Sequence, residues 1–218
     1  MAEDSSVDGL GCQCDDRFRS ACYGEVAYQY EDNKHYCILH LPSENKVDSF
    51  KKAVQRKLEC NDFGFAGVYF PIGFGELDLA PYRKFSEHVD FREATLSQGA
   101  DFFGATFCKG VDFSGARFGE KTNFFRTTFT EKADFSGAKF GEKATFASAI
   151  FSEGVFAKAK FGEADFSRAK FGEEAVFIYA KFSGRAGFSG AIFSHVAPFH
   201  YAAFSGGRTS PKPSCGRR

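Results

Sequence analysis

Residues Ala133 to Lys143 read ADFSGAKFGEK, and this eleven-residue string is the unit from which more than half of the chain is built. Its Phe135 and Phe140 belong to a longer series: Phe102, Phe107, Phe113, Phe118, Phe124, Phe129, Phe135, Phe140, Phe146 and Phe151, with spacings that alternate five and six. Phe156, Phe161, Phe166 and Phe171 then follow at a constant five, and the alternation returns at Phe177, Phe182, Phe188, Phe193, Phe199 and Phe204. One residue is missing at each of two corners, near Glu153 and Glu163, yet the Phe slot is never skipped. Upstream the pattern reaches Leu96, Phe91 and, less regularly, Phe85.

Two residues before each Phe stands a small side chain, as at Ala116, Ala133, Ala138, Ala159 and Ala180, with Thr122 and Thr127 as variants. Residues two apart on an extended segment share a face, so each unit turns one large and one small side chain inward. A helix is a poor rival, because a period of five to six walks the Phe residues around a 3.6-residue turn and leaves no single buried face. Four such segments close into a coil of about 22 residues that stacks Phe on Phe and Ala on Ala at about 4.8 Å. The expectation is a solenoid of five to six coils, with Gly115, Gly137, Gly184 and Gly190 at turns that call for a positive φ.

The strings ADFSGAKF and ADFSRAKF resemble the pentapeptide-repeat family, whose pattern is Ala, then Asp or Asn, then Leu or Phe, then two variable residues. The resemblance implies an all-β solenoid, a right-handed quadrilateral β-helix. Its functional implication is weaker: the family includes many members of unknown role beside a few acidic ones that mimic DNA and protect topoisomerases. This chain departs from those acidic members in its neutrality and its eleven-residue half-coils.

There are 30 Phe, one Met and no Trp, as expected where one side chain is reused at one slot. The net charge is zero, from 28 basic and 28 acidic residues. That removes the simplest argument for a nucleic-acid binder or for a DNA mimic, so a charge-driven partner must read a local patch. No stretch has the apolar length of a membrane span and the start MAEDSSVDG is unlike a signal peptide, which points to the cytoplasm and away from a membrane.

With the register fixed, the outer columns can be read. Arg117, Lys139, Lys160 and Lys181 form a basic ladder. It reads either as a contact for an acidic partner or as a solvated face that discourages sheet-edge pairing. On an adjacent side Asp112 and Asp134 give way to Val155, Val176 and Pro198, and the corner residues Glu120, Lys121, Glu131, Lys132, Glu142 and Lys143 pair opposite charges locally. Phe103 and Phe125 should point outward in one column, while Ile178, Tyr179, His200 and Tyr201 gather outside the last coils. A β-helix has two open ends that must be covered or paired, so capping or self-association is the expectation for that last cluster.

Ahead of the repeat, residues 43–60 read as an amphipathic capping helix with Val47, Phe50, Val54 and Leu58 on one face. Lys51, Lys52, Gln55, Arg56 and Lys57 lie on the other, with Pro42, Ser43 or Asp48 as start signals. Residues 61–84 form an imperfect first coil, with Phe63, Phe65, Val68 and Phe70, and a loop around Pro71 to Pro81. Residues 85–204 are the regular coils, and 205–218 a disordered basic tail. Residues 1–42 carry Cys12, Cys14, Cys22, Cys37 and His40. A tetrahedral zinc site needs four N or S ligands, and Cys37 and His40 with Cys22 and either Cys12 or Cys14 would supply them. All-protein ligation would make the metal structural; the alternative is a set of ordinary free thiols.

The five His residues are scattered, no Gly loop cradles phosphate, and the Ser residues sit at repetitive turns. The sequence therefore reads as a non-enzymatic scaffold or protein-interaction module whose partner is a protein or a second copy of the chain. The alternatives are a DNA-mimic regulator of a nucleic-acid enzyme such as a topoisomerase, and an anion or nucleic-acid binder acting through the basic ladder.

Overall fold

The computed structural model describes residues 12–22, 28–30, 33–72 and 83–206. From Tyr69 onward every paired strand is parallel, and the chain forms a β-solenoid of about six turns. The strands are short because each side of a coil has room for only two or three extended residues. Arg117–Phe118 pairs with Lys139–Phe140, Lys139–Phe140 with Lys160–Phe161, and Lys160–Phe161 with Lys181–Phe182. Longer strands such as Thr128–Asp134 arise where the chain stays extended around a corner.

Four columns of Phe fill the interior. On the first face Phe85, Phe107, Phe129, Phe151, Phe171 and Phe193 stack with ring centroids 4.7–5.2 Å apart. The second face carries Phe65, Phe91, Phe113, Phe135, Phe156, Phe177 and Phe199, stacked at 4.6–5.2 Å. On the third, Leu96 precedes Phe118, Phe140, Phe161, Phe182 and Phe204, and on the fourth stand Phe102, Phe124, Phe146, Phe166 and Phe188. Rings of neighbouring columns meet edge to face, as Phe124 and Phe135 do at 5.4 Å and 87°. Offset and edge-to-face contacts are the favourable aromatic geometries, and each buried Phe adds about 2 kcal/mol of transfer free energy.

The small slot is equally strict. Ala116, Ala138, Ala159 and Ala180 are fully buried, and so are Thr122 and Thr127. The two threonines are admitted because their hydroxyls donate to backbone, Thr122 to the Gly119 carbonyl at 3.1 Å and Thr127 to the Phe102 carbonyl at 2.7 Å. On the second and fourth faces the residue before Phe turns the chain. Asp112, Asn123, Asp134 and Asp165 each accept a hydrogen bond from the backbone N–H two residues on, at 2.8–2.9 Å. This is an Asx turn, the physical reason for Asp or Asn at that place.

The two trimmed corners fall where the spacing puts them. Phe129 pairs with Phe151 but Lys132 with Glu153, so the register shifts by one residue. Ala144 pairs with Ala164 after the second trim. Gly115, Gly137 and Gly190 have φ near 68°. Gly184 does not, contrary to expectation: it is glycine because the coil beneath passes close, and a Cβ there would lie 2.9 Å from the Gly162 carbonyl oxygen.

The helix spans Val47–Glu59, preceded by a 3-10 turn Glu44–Lys46 that Ser43 caps by accepting from the Asn45 N–H at 3.2 Å. Phe50, Ala53, Val54 and Leu58 are buried, and Phe50 meets Phe70 edge to face at 5.2 Å. Lys57 belongs to this buried face and not to the solvent face that charge alone assigns it. Its stem lies against the core while the ammonium pairs with Asp62, the usual way a lysine covers apolar surface. Phe70 pairs with Leu96 and Gly64 with Asp90, which attaches this segment to the coil above. Residues 73–81 of the stretch read as a loop, residues 207–218 of the tail and residues 1–11 lie outside the described residues.

Candidate functional site

The N-terminal module brings its chemistry together from four short pieces. Cys12 enters beside the strand His35–Tyr36, which pairs antiparallel with Tyr28–Gln29. The Cys37 N–H donates to the Cys12 sulfur at 3.1 Å. Cys22 ends a 3-10 turn, Asp16–Ala21, started by the Asp15 carboxylate accepting from the Arg17 N–H. Cys37 and His40 face each other across a turn closed by the His40 and Leu41 N–H groups, which donate to the Cys37 carbonyl at 3.1 and 3.0 Å. The buried Lys46 ammonium holds that turn from below by donating to the Ile38 and Leu39 carbonyls at 2.8 and 2.9 Å. It also lies over the Phe50 ring at 4.5 Å, and burial brings its pKa down to about 7.

The outcome is that the Sγ atoms of Cys12, Cys22 and Cys37 and one ring nitrogen of His40 all lie within 4.8 Å of one another. The His40 Nδ1 is 3.9 Å from Cys12, 3.5 Å from Cys22 and 3.2 Å from Cys37. A tetrahedron with Zn–S of about 2.3 Å and Zn–N of about 2.0 Å separates its ligand atoms by roughly 3.5–3.8 Å. The cluster could therefore hold a metal ion with little rearrangement. The second nitrogen of His40 lies 3.0 Å from the Ala66 carbonyl, so it donates there, which fixes the tautomer that leaves Nδ1 free to ligate. Of the two residues left open by spacing, Cys12 joins the group; Cys14 stands beside it, its sulfur 3.5 Å from that of Cys22.

Protons are shared unequally in the cluster. Hydrogen bonds from Cys22 and Cys37 hold the Cys12 thiol well below its ordinary range, and the same bond pushes Cys22 up. Burial opposes a charged His40, but its bonds to Cys12 and Cys37 outweigh this and raise the ring to about 9.

Among the described residues three polar contacts fasten the module to the solenoid. Besides the bond from His40 to Ala66, the Tyr69 N–H donates to the Leu39 carbonyl at 3.1 Å, and Arg17 reaches Glu93 at 2.9 Å. Phe18 lies flat over the turn at Gly67, where any Cβ would come within 2.3 Å of the ring. None of Phe18, Lys46 or Ala66 carries a sequence signal, because each acts through packing or through its backbone carbonyl.

The outer faces hold the remaining candidates. Arg117, Lys139, Lys160 and Lys181 align as one exposed ladder. Asp90, Asp112 and Asp134 align on the second face and give way to Val155 and Val176. The corner charges behave differently from expectation: among the described residues Lys132 pairs with Asp134 at 3.2 Å, and no pair joins neighbouring Glu and Lys at the corners. Adjacent residues on an extended corner point apart, so side chains two apart meet instead. Phe103 and Phe125 stack outside the coil at 5.8 Å, with the Arg83 and Arg126 guanidinium groups over them. Tyr179 and Tyr201 stack at 4.8 Å and are exposed, as is His200, while Ile178 is half-buried. Val196 and Ile192 are also exposed in the last coil, where Phe204 is 52% exposed in a column that is otherwise buried.

Comparison with known families places residues 84–128 and 156–203 in a model described as pentapeptide repeats (9 copies). The chain carries pentapeptide repeats. The matched segments carry the Asx turns at Asp112, Asn123 and Asp165, and the Phe columns and the solenoid continue without a break through residues 129–155 between them. No curated protein and no solved structure matches the chain. Among the described residues no helix is long and apolar enough to cross a membrane.

Proposed function

We propose that this pentapeptide-repeat protein is a non-enzymatic interaction scaffold, with a cap held by structural zinc over its first coil and a binding surface at its last. The observation that carries the reading is the packing of the interior. Phe columns stacked at 4.6–5.2 Å fill the coils, so groups that could meet a partner stand on the outer faces and the ends. Zinc is the metal that suits three thiolates and an imidazole, and four protein ligands leave no open position for catalysis.

The partner best supported is a second copy of the chain, bound through the last coil. There Val196, Ile192, Tyr201 and Phe204 are exposed together, and the edge of each sheet lacks a following strand among the described residues. Coil-on-coil stacking already buries these columns within one chain, and a second copy offers the same ring spacing. A DNA mimic would need a continuous acidic face, whereas the aspartate column is short, partly neutralised by Arg92 and Lys132, and set against a basic ladder. The ladder also serves poorly as a nucleic-acid contact in a chain of zero net charge.

Native mass spectrometry of the purified chain tests both parts. A dimer that a Tyr201→Ser, Phe204→Ser variant converts to monomer, with one zinc retained per chain, supports the reading. A monomeric wild type across micromolar concentrations would sink the self-association, and a metal-free mass would sink the zinc.

A further inference from the structure

The cluster contains one thiol more than a tetrahedral site can use. Cys14 is not among the four converging atoms, yet its sulfur lies 3.5 Å from that of Cys22. Both are half-buried, whereas Cys37 is buried to 2% exposure, so a small oxidant reaches Cys22 more readily than Cys37. The two sit at either end of the short turn Asp16–Ala21, whose contacts with the solenoid are the Phe18 ring over Gly67 and the Arg17 ion pair with Glu93.

We infer that Cys14 is a resolving thiol, making the metal centre a redox-releasable lock on the cap; this rests on the structural-zinc reading above. The oxidant is a hydroperoxide. The Cys22 sulfur, a thiolate while it ligates zinc, attacks the peroxide O–O bond, gains one oxygen to become a sulfenic acid and expels the other, which leaves as water or alcohol with a proton from solvent. The Cys14 sulfur then attacks the Cys22 sulfur, a Cys14–Cys22 bond forms, and the sulfenic oxygen leaves as water with the Cys14 proton. Two electrons have passed from the sulfur pair to the peroxide. Cys22 is withdrawn from the ligand set, and Cys12, Cys37 and His40 alone make a weaker site. Because His40 donates to Ala66 and Leu39 accepts from Tyr69, loosening the centre loosens the cover on the first coil. A dithiol reductant reverses the step.

The test uses the full chain and its Cys14→Ser variant, each loaded with zinc and checked for one zinc per chain and for equal β-signal by circular dichroism. Hydrogen peroxide is then added, zinc release is followed with a chromogenic chelator, and disulfides are mapped by peptide mass. The expected result is release from the wild type together with a Cys14–Cys22 disulfide, and release slowed by roughly tenfold in the variant. Equal release rates, or a wild-type disulfide that excludes Cys14, would overturn the inference. Failure of the wild type to bind zinc before oxidant is added overturns the zinc reading instead, whereas binding by the wild type but not by the variant would make Cys14 a ligand and overturn this inference alone, so the two failures are distinguishable.

Discussion

At the scale of single residues, the position two after Phe on the second and fourth faces is the most constrained. Its φ is positive whatever side chain stands there: Gly115, Gly137 and Gly190 at 67–68°, but also Arg126, Ser148, Lys158, Arg168, Tyr179 and Tyr201 at 56–60°. Hydrogen bonds to the neighbouring coil, such as those the Lys158 and Tyr179 N–H groups donate to the Ile178 and His200 carbonyls, hold the backbone there even where Val155 and Val176 replace the Asx-turn residue, and the non-glycine residues carry the strain of a left-handed conformation. Gly137 isolates that cost, because a Cβ added to it would meet nothing within 4 Å. Gly137→Ala should therefore destabilise the chain by about 1 kcal/mol, read from the shift of a urea unfolding midpoint at unchanged slope. Gly67→Ala combines the same φ with a collision against the Phe18 ring and should cost more, with the N-terminal module displaced. Equal losses at the two sites would mean that Phe18 does not hold the cap.

At the scale of elements, the corners tolerate a change of length that the sides do not. The strand Thr128–Asp134 has seven residues and Ile150–Val155, in the next coil above it, six, yet the Phe and small slots remain aligned on both sides of the shift. Removing the exposed Glu131 gives the lower corner the length its neighbour above already has, and should cost about 1 kcal/mol or less in thermal or urea unfolding. Removing Ala133 instead draws Lys132 into a fully buried slot and should abolish cooperative unfolding. These same rules made the solenoid legible from sequence: a slot read by Phe every five or six residues, with a small residue two before it, leaves one way to close the coil. The metal cluster was legible only as a set of ligands. Spacing leaves Cys12 and Cys14 equivalent, and what separates them is the placement of Cys12 beside the His35–Tyr36 strand, where the Cys37 N–H meets its sulfur. The buried role of Lys57 was hidden for a similar reason, since the aliphatic stem that packs is invisible in a reading by charge.

At the scale of the whole molecule, each coil touches only the coils on either side, so stability should behave as a sum of coil terms and neighbour terms. The four columns make that testable by deletion. Excising residues 117–138 joins Ala116 to Lys139, and because Lys139 pairs with Arg117 the chain re-enters its own register one coil further along. Phe140 then stands over Leu96, Phe146 over Phe102, Phe151 over Phe107 and Phe156 over Phe113, each ring in the slot vacated by its counterpart. The shortened protein should fold, with an unchanged circular dichroism signal per residue and a urea slope reduced in proportion to the surface it no longer buries. It should be less stable than the parent, having lost four fully packed Phe residues and one coil interface. Excising Gly119 to Lys121 removes far less chain but brings the buried slot of Thr122 against Phe118, and should leave no cooperative transition. If the three-residue deletion were the better tolerated, the stacked columns would not be what specifies this fold.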